Sequence, residues 1–228
     1  MLRAEIYKMF HSKMLLILLM VVIPVAFYLG IMLPLMGVVS VQEVLTTVFV
    51  GSSAVIMLYF AILATTLVNR DFSSNTYRIL VGMGVSRIKI FLCKFLIFFI
   101  TGIVIVVIHG IVASIFPFFK CTDDLKWSDC STVFLYLVVY GSIISIMFLL
   151  AIVGRTIIKS IVFNIAFLIL MSILSMIPLS YVQVLPLHFL QIVAEGQNEQ
   201  YIGIAIASLA YIFIAGLASC FVFGKQEL

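Results

Sequence analysis

Charge is scarce in this sequence. Of its 228 residues only 10% are Asp, Glu, Lys or Arg, while 65% are hydrophobic. A soluble globular domain carries roughly 25% charged residues. The composition excludes that class and fits an integral membrane protein. About six spans of roughly 20 residues each would use up most of the length, which leaves little for any soluble domain. Internal repeats and low-complexity stretches are also absent.

The motifs of several chemistries are missing. No G-x-x-x-x-G-K-[ST] phosphate loop occurs; GMGVSR at 82–87 lacks the lysine and follows no strand. The chain has no such route of its own to ATP hydrolysis. It has no H-E-x-x-H helix, no G-x-S-x-G elbow and no paired acids within a span. No catalytic, cofactor-binding or metal-ligating residue is assigned. Proton- or sodium-coupled transporters need carboxylates near the midplane, and many channels need charged rings. Neither is present, so energy for any transport must come from elsewhere. His109 is the one ionisable residue well inside a span. It is either functional or a satisfied packing residue. Asn164 is expected to make an interhelical hydrogen bond.

What charge there is has a pattern. The net charge is +4, and its distribution matters more than its sum. Apolar runs place spans at about 14–36, 46–68, 95–119, 132–153, 161–177 and 201–224, the fifth with an optional start at Ile157. With the N-terminus inside, Arg3, Lys8, Lys13, Arg70, Arg78, Arg87, Lys89, Lys94, Arg155, Lys159 and Lys225 fall inside, eleven of the 13 basic residues. Only Lys120 and Lys126 fall outside, together with six of the nine acids. The positive-inside rule therefore predicts cytoplasmic N- and C-termini.

Residues 1–13 predict an amphipathic interfacial helix, with Leu2, Ile6, Met9, Phe10 and the stem of Lys13 on one stripe. Pro24 predicts a kink in the first span. The acidic outer loop 120–131 carries Cys121 and Cys130, which either form a disulfide or remain free thiols. The segment 178–200 is too apolar for a solvated loop and predicts a re-entrant or interfacial hairpin. Small residues in span 6 (Gly203, Ala207, Ala210, Gly216, Cys220, Gly224) and span 2 (Gly51 to Ala54) permit close helix contact, within one chain or between two.

The longest polar interruption on the basic side is 70–94. Ser73, Ser74 and Asn75 are good N-cap residues. Tyr77, Leu80 and Val81 then share one face of a short helix, which Gly82 and Gly84 can end. Ser86 caps a second helix from Arg87. A short helix with an apolar edge and a basic rim suits docking to a partner. The other reading is a loop whose charges only fix topology.

These residues resemble a family. RAEIYKMFHSK at 3–13, then two spans, then DFSSNTYRILVGMGVSRIKIFLCK at 71–94, resembles the ABC-2 type permeases of ATP-binding-cassette exporters. Members commonly show an amphipathic elbow helix ending in a Tyr-Lys-hydrophobic pattern. Between spans 2 and 3 they show a stretch of the form G-T/N-x-R/K-x-L-L…G-x-S-R-x-x-I…K. Asn75, Thr76, Arg78, Leu80, Gly84, Ser86, Arg87, Ile90 and Lys94 match it. The usual acid-Gly-Thr entry reads Ser-Asn-Thr here. An external hairpin before the last span is also a family feature, as at 178–200.

The resemblance implies an all-α membrane protein of six spans. An elbow helix would lie at Leu2–Ser12 and a cytoplasmic coupling helix at Tyr77–Val85, with an external re-entrant hairpin between spans 5 and 6. It implies that Thr76, Tyr77, Arg78, Leu80, Val81, Gly84, Val85 and Arg87 contact a separate ATPase subunit, which binds the ATP and magnesium. This chain itself would be no enzyme and hold no cofactor. Two permease chains, identical or paralogous, would pair in a bacterial cell membrane. Small permeases of this shape are similar to those exporting, or conferring immunity to, antimicrobial peptides such as lantibiotics and bacitracin. Others move drugs, sodium, glycans or lipids. Rival readings are an intramembrane enzyme using His109, which needs a nucleophile or acid at the same depth, and a non-transporting scaffold or sensor.

Overall fold

The computed structural model describes residues 2–38, 40–120, 127–175, 185–196 and 200–226. Among these it holds ten helices and no strand. They are α1 (Leu2–Phe10), α2 (Lys13–Leu35), α3 (Val41–Gly51), α4 (Ser53–Ser73), α5 (Thr76–Gly82), α6 (Arg87–Lys120), α7 (Trp127–Gly154), α8 (Ile157–Ser175), α9 (Pro186–Ala194) and α10 (Tyr201–Lys225). Six of them, α2, α4, α6, α7, α8 and α10, are long and apolar enough to cross a membrane. The Cys121–Cys130 pair falls outside the described side chains, and 178–184 and 197–199 of the expected hairpin fall outside the described residues.

The second apolar stretch, read from sequence as one span at 46–68, is two helices with a break at Ser52. The break has one cause within the helix and one from α7. Side chains compete there for the carbonyls of the helix ladder. Ser52 Oγ donates to the Val48 carbonyl at 2.6 Å, and Tyr140 OH donates to the Phe49 carbonyl at 2.7 Å. α3 is thereby released to pack on α6 and α9, while α4 runs on to Ser73. α2, in contrast, continues through Pro24 and Pro34 as one helix.

α7 lies at the centre and packs against α4, α6, α8, α9 and α10. Its Tyr136, Tyr140, Ile143, Ile144, Met147 and Phe148 are all buried. α8 and α10 show most of their length to the surroundings. α2 meets α6 where side chains are smallest. A Cβ on Gly30 would strike the Ala113 carbonyl oxygen, and Ala26 and Ala113 are fully buried beside it. This is the close approach that small residues permit between apolar helices. The small residues picked out in the last span divide: Ala207 and Cys220 pack against the core and a Cβ on Gly216 would lie 3.8 Å from Phe95, while nothing lies within 4 Å of a Cβ built on Gly203 or Gly224.

α6 has 34 residues, about 50 Å at 1.5 Å per residue. A hydrocarbon core is about 30 Å thick, so this helix overshoots it. Its first turns form a stalk at the end where Arg70 and Arg87 also lie, and α1 and α5 are bound to that end.

Candidate functional site

The turn between α5 and α6 is built by two residues. Gly84 adopts φ +83°, which lets its N–H reach the Val81 carbonyl and the Val85 N–H reach that of Leu80. This is a glycine-ended helix stop. Ser86 Oγ then accepts the Lys89 N–H at 3.4 Å, and α6 begins at Arg87. On entry, Asn75 sits in the left-handed region at φ 55°, which Asn tolerates better than most residues.

Seven residues into α6, Lys94 is buried at 3% exposure between two carboxylates. Its ammonium contacts Asp71, in the last turn of α4, and Glu5, in the middle of α1. Lys8 closes the group from its solvent side, 3.3 Å from Glu5 and 3.8 Å from Asp71. Two acids and two bases cancel, which is the condition for keeping such groups buried. The N-terminal helix continues along the same face of α6: Thr101 Oγ1 lies 3.2 Å from Met9 Sδ. The side of α1 that packs therefore carries Glu5 and Met9, while Ile6 and Tyr7 are exposed.

Tyr77 is the centre of the adjoining layer. It is 1% exposed. Its hydroxyl donates to the Val68 carbonyl at 3.1 Å. Its ring packs edge-on against Phe72 and Phe223, and Lys94 Nζ lies 5.8 Å from its centroid. Burial pushes the phenol well above its usual pKa, and the Asp71 and Glu5 carboxylates push the same way. Tyr77 is thus a neutral hydrogen-bond donor in this setting.

The eight residues implied as partner contacts divide. Tyr77 is buried; Leu80, Val81 and Val85 are half-buried against the core. Arg87 is engaged within the chain, since its guanidinium donates to the carbonyls of Gly224 at 2.9 Å and Gln226 at 2.8 Å and closes the C-terminus of α10. Thr76 shares a 2.7 Å hydrogen bond with Ser74. Arg78 and Gly84 are exposed. The apolar face read from sequence is turned into the bundle, and a different one is free: Ile79 and Met83, at 58% and 67% exposure. Sequence periodicity finds the face of a helix but not which of two apolar edges is covered.

No protein-family model matches the chain, and no curated protein matches its sequence. What the site can do rests on its own residues.

His109 and Asn164 are both fully buried. His109 Nε2 lies 2.7 Å from Ser52 Oγ, so a hydroxyl does stand at the depth of the histidine. The Ser52 hydroxyl has one proton and two acceptors in reach, the Val48 carbonyl at 2.6 Å and His109 Nε2, and the histidine tautomer sets which one receives it. The pair serves as a hydrogen bond between α6 and the α3–α4 break. Asn164 donates to the Ser160 carbonyl of its own helix at 3.0 Å. The link between helices is made one turn earlier, where Asn69 donates to Ser160 Oγ and Ser160 donates to the Ala151 carbonyl. Among the described residues no group of three His, Cys, Asp or Glu could hold a metal.

The charge cluster was not foreseen. Its signal was present: Glu5, Asp71 and Glu227 are the only three acids on the basic side of the sequence, and Glu5 stands in an otherwise basic helix.

Proposed function

We propose that this chain is the permease subunit of an ABC-2 type exporter. A separate ATPase subunit drives it, and it moves an amphipathic or peptide substrate, such as an antimicrobial or cytolytic peptide, out of the cytoplasm or inner leaflet. One observation carries the reading. The short helix α5 stands between two long apolar helices at the basic end, with its Tyr77 side locked into the bundle and its Ile79–Met83 side exposed beside Arg78. A helix anchored on one face and free on the other can receive a push and pass it on. Tyr77 reaches α4 and α10, and the Lys94 cluster reaches α1.

In this reading α1 is the elbow helix, braced by Glu5. Ile79, Met83 and Arg78 make the primary contact with the ATPase. Thr76, Gly84 and Val85 shape the contact, while Tyr77, Leu80, Val81 and Arg87 hold it in place. ATP and magnesium belong to the partner chain, and a second permease chain completes the unit. Cargo alternatives within the same family are drugs, lipids, glycans or sodium. A scaffold or sensor would use the same free face without transport.

The test is purification of the intact chain from its native membrane. A nucleotide-hydrolysing companion should co-purify, and the pair Ile79→Asp with Met83→Asp should release it without lowering the amount of folded permease. Retention of the companion by that variant would misplace the contact. Absence of any such companion, or full activity of the chain reconstituted alone, would sink the proposal.

A further inference from the structure

A crevice of about 240 Å³ opens in the half of the bundle far from Arg70 and Arg87. Three helices line it: Leu45 and Phe49 from α3, Gly110 and Ser114 from α6, Val133 and Leu137 from α7. Its shape follows from one glycine. A Cβ on Gly110 would stand 2.8 Å from the Phe49 ring, so only glycine leaves the ring and the α6 backbone side by side as a floor. The lining offers water nothing. Its one hydroxyl, Ser114 Oγ, donates to the Ile111 carbonyl of its own helix at 2.8 Å. A cavity without polar partners excludes water and accepts an apolar guest.

The rim shows where a guest enters. Val107 and Ile111 also line the crevice and are 38% and 58% exposed on the outer side of α6. They belong to a helix long and apolar enough to span a bilayer. In a membrane that side of α6 faces acyl chains, and the crevice is continuous with it. At the ~30 Å³ of a water-sized group, the space holds about eight methylenes. We infer that the crevice binds the acyl chain of a bilayer phospholipid, drawn from the leaflet at that end of the bundle. The chain lies between Phe49 and Leu137, its terminal methylenes over Gly110. Occupancy needs only a bilayer, with or without an ATPase companion.

The probe is phosphatidylcholine with a photoactivatable diazirine in the distal half of one acyl chain, present in trace amounts in nanodiscs holding the full chain. After irradiation, peptide mapping should place adducts on 106–114 and 45–49 well above those on the exposed α10 residues Phe213 and Leu217. Ser114→Phe, which fills the crevice, should bring labelling of 106–114 down to the α10 level. Val107→Ala, which only widens the mouth, should keep it. Equal labelling of the two helices, or labelling that survives Ser114→Phe in a normally folded chain, overturns the inference. So does the absence of adducts together with disulfide-linked dimers of Val107→Cys, which would show a second copy covering that face.

Discussion

The Lys94 ammonium lies against the carboxylate of Asp71, 23 positions earlier in the chain, and both are nearly shut off from solvent. Glu5 approaches the same ammonium from the N-terminal helix. One lysine thus joins the end of α4, the stalk of α6 and α1. Removing one member of a buried ion pair leaves the other uncompensated, at a cost of about 3–5 kcal/mol. Lys94→Met is expected to lower the thermal midpoint of the detergent-solubilised chain steeply and to expose the N-terminal helix to limited proteolysis. Neutralising the acids as well, with Glu5→Gln and Asp71→Asn, should recover much of the loss, because the one charge then left unpaired, Lys8, is 55% exposed and stays solvated. A triple variant no more stable than Lys94→Met would show that the cluster is not a balanced group.

Tyr77 separates packing from hydrogen bonding. Tyr77→Phe keeps the ring between Phe72 and Phe223 and removes only the bond to the Val68 carbonyl. A loss of about 1 kcal/mol is expected. Tyr77→Ala removes the ring and should cost about 3–5 kcal/mol. Both are read by thermal unfolding. An unchanged Tyr77→Ala variant would mean that α5 does not pack as described. For that reason Tyr77 is unsuitable for probing partner contact, and Ile79 and Met83 are the positions to alter.

Five of the six long helices were legible because each coincides with an apolar run long enough to span; the sixth, α4, starts inside a run that the sequence reads as continuous. The start of α6 was legible too, since Gly84 and Ser86 are residues that stop one helix and cap the next. Other features depend on contacts distant in sequence. The break at Ser52 depends on Tyr140, 88 positions further on, whose hydroxyl takes a carbonyl that the apolar pattern assigns to a continuous span. The partners of Lys94 depend on α1 folding back along α6. Tyr77, Ile79 and Met83 are all apolar enough to be either core or surface, and Tyr77 is buried by Phe72 and Val68 nearby together with Phe223 at the far end of the chain.

Glycines show the same limit, and two of them make a controlled comparison. Gly30 and Gly203 both sit in apolar helices and look alike in sequence. A side chain on Gly30 meets the Ala113 backbone, which cannot move aside as a flexible side chain would. Gly30→Ala should force α2 away from α6 and cost about 1–3 kcal/mol, the usual range for overpacking. Gly203→Ala meets nothing within 4 Å, and replacing a helical glycine by alanine favours the helix by up to about 1 kcal/mol. The thermal midpoint is expected to fall for the first and to hold or rise for the second. If Gly203→Ala is the damaging one, that face of α10 contacts another chain.

Ser52 and His109 test whether the buried histidine is a structural link. Either single change breaks the 2.7 Å contact between α6 and the α3–α4 break. Ser52→Ala leaves a buried imidazole nitrogen without its hydrogen-bond partner. His109→Leu leaves Ser52 bonded to Val48 and exchanges a polar ring for an apolar side chain. Ser52→Ala is therefore expected to be the more costly, at about 1–3 kcal/mol, the penalty for an unsatisfied buried polar group. The double variant, with both partners gone, should be more stable than the sum of the two, by a coupling of 0.5 kcal/mol or more. The four thermal midpoints of the cycle measure it. A chemical role predicts something else: loss of activity on His109→Leu, in a chain whose stability and assembly are unchanged. That outcome would restore the intramembrane enzyme as a reading, with Ser52 as its nucleophile.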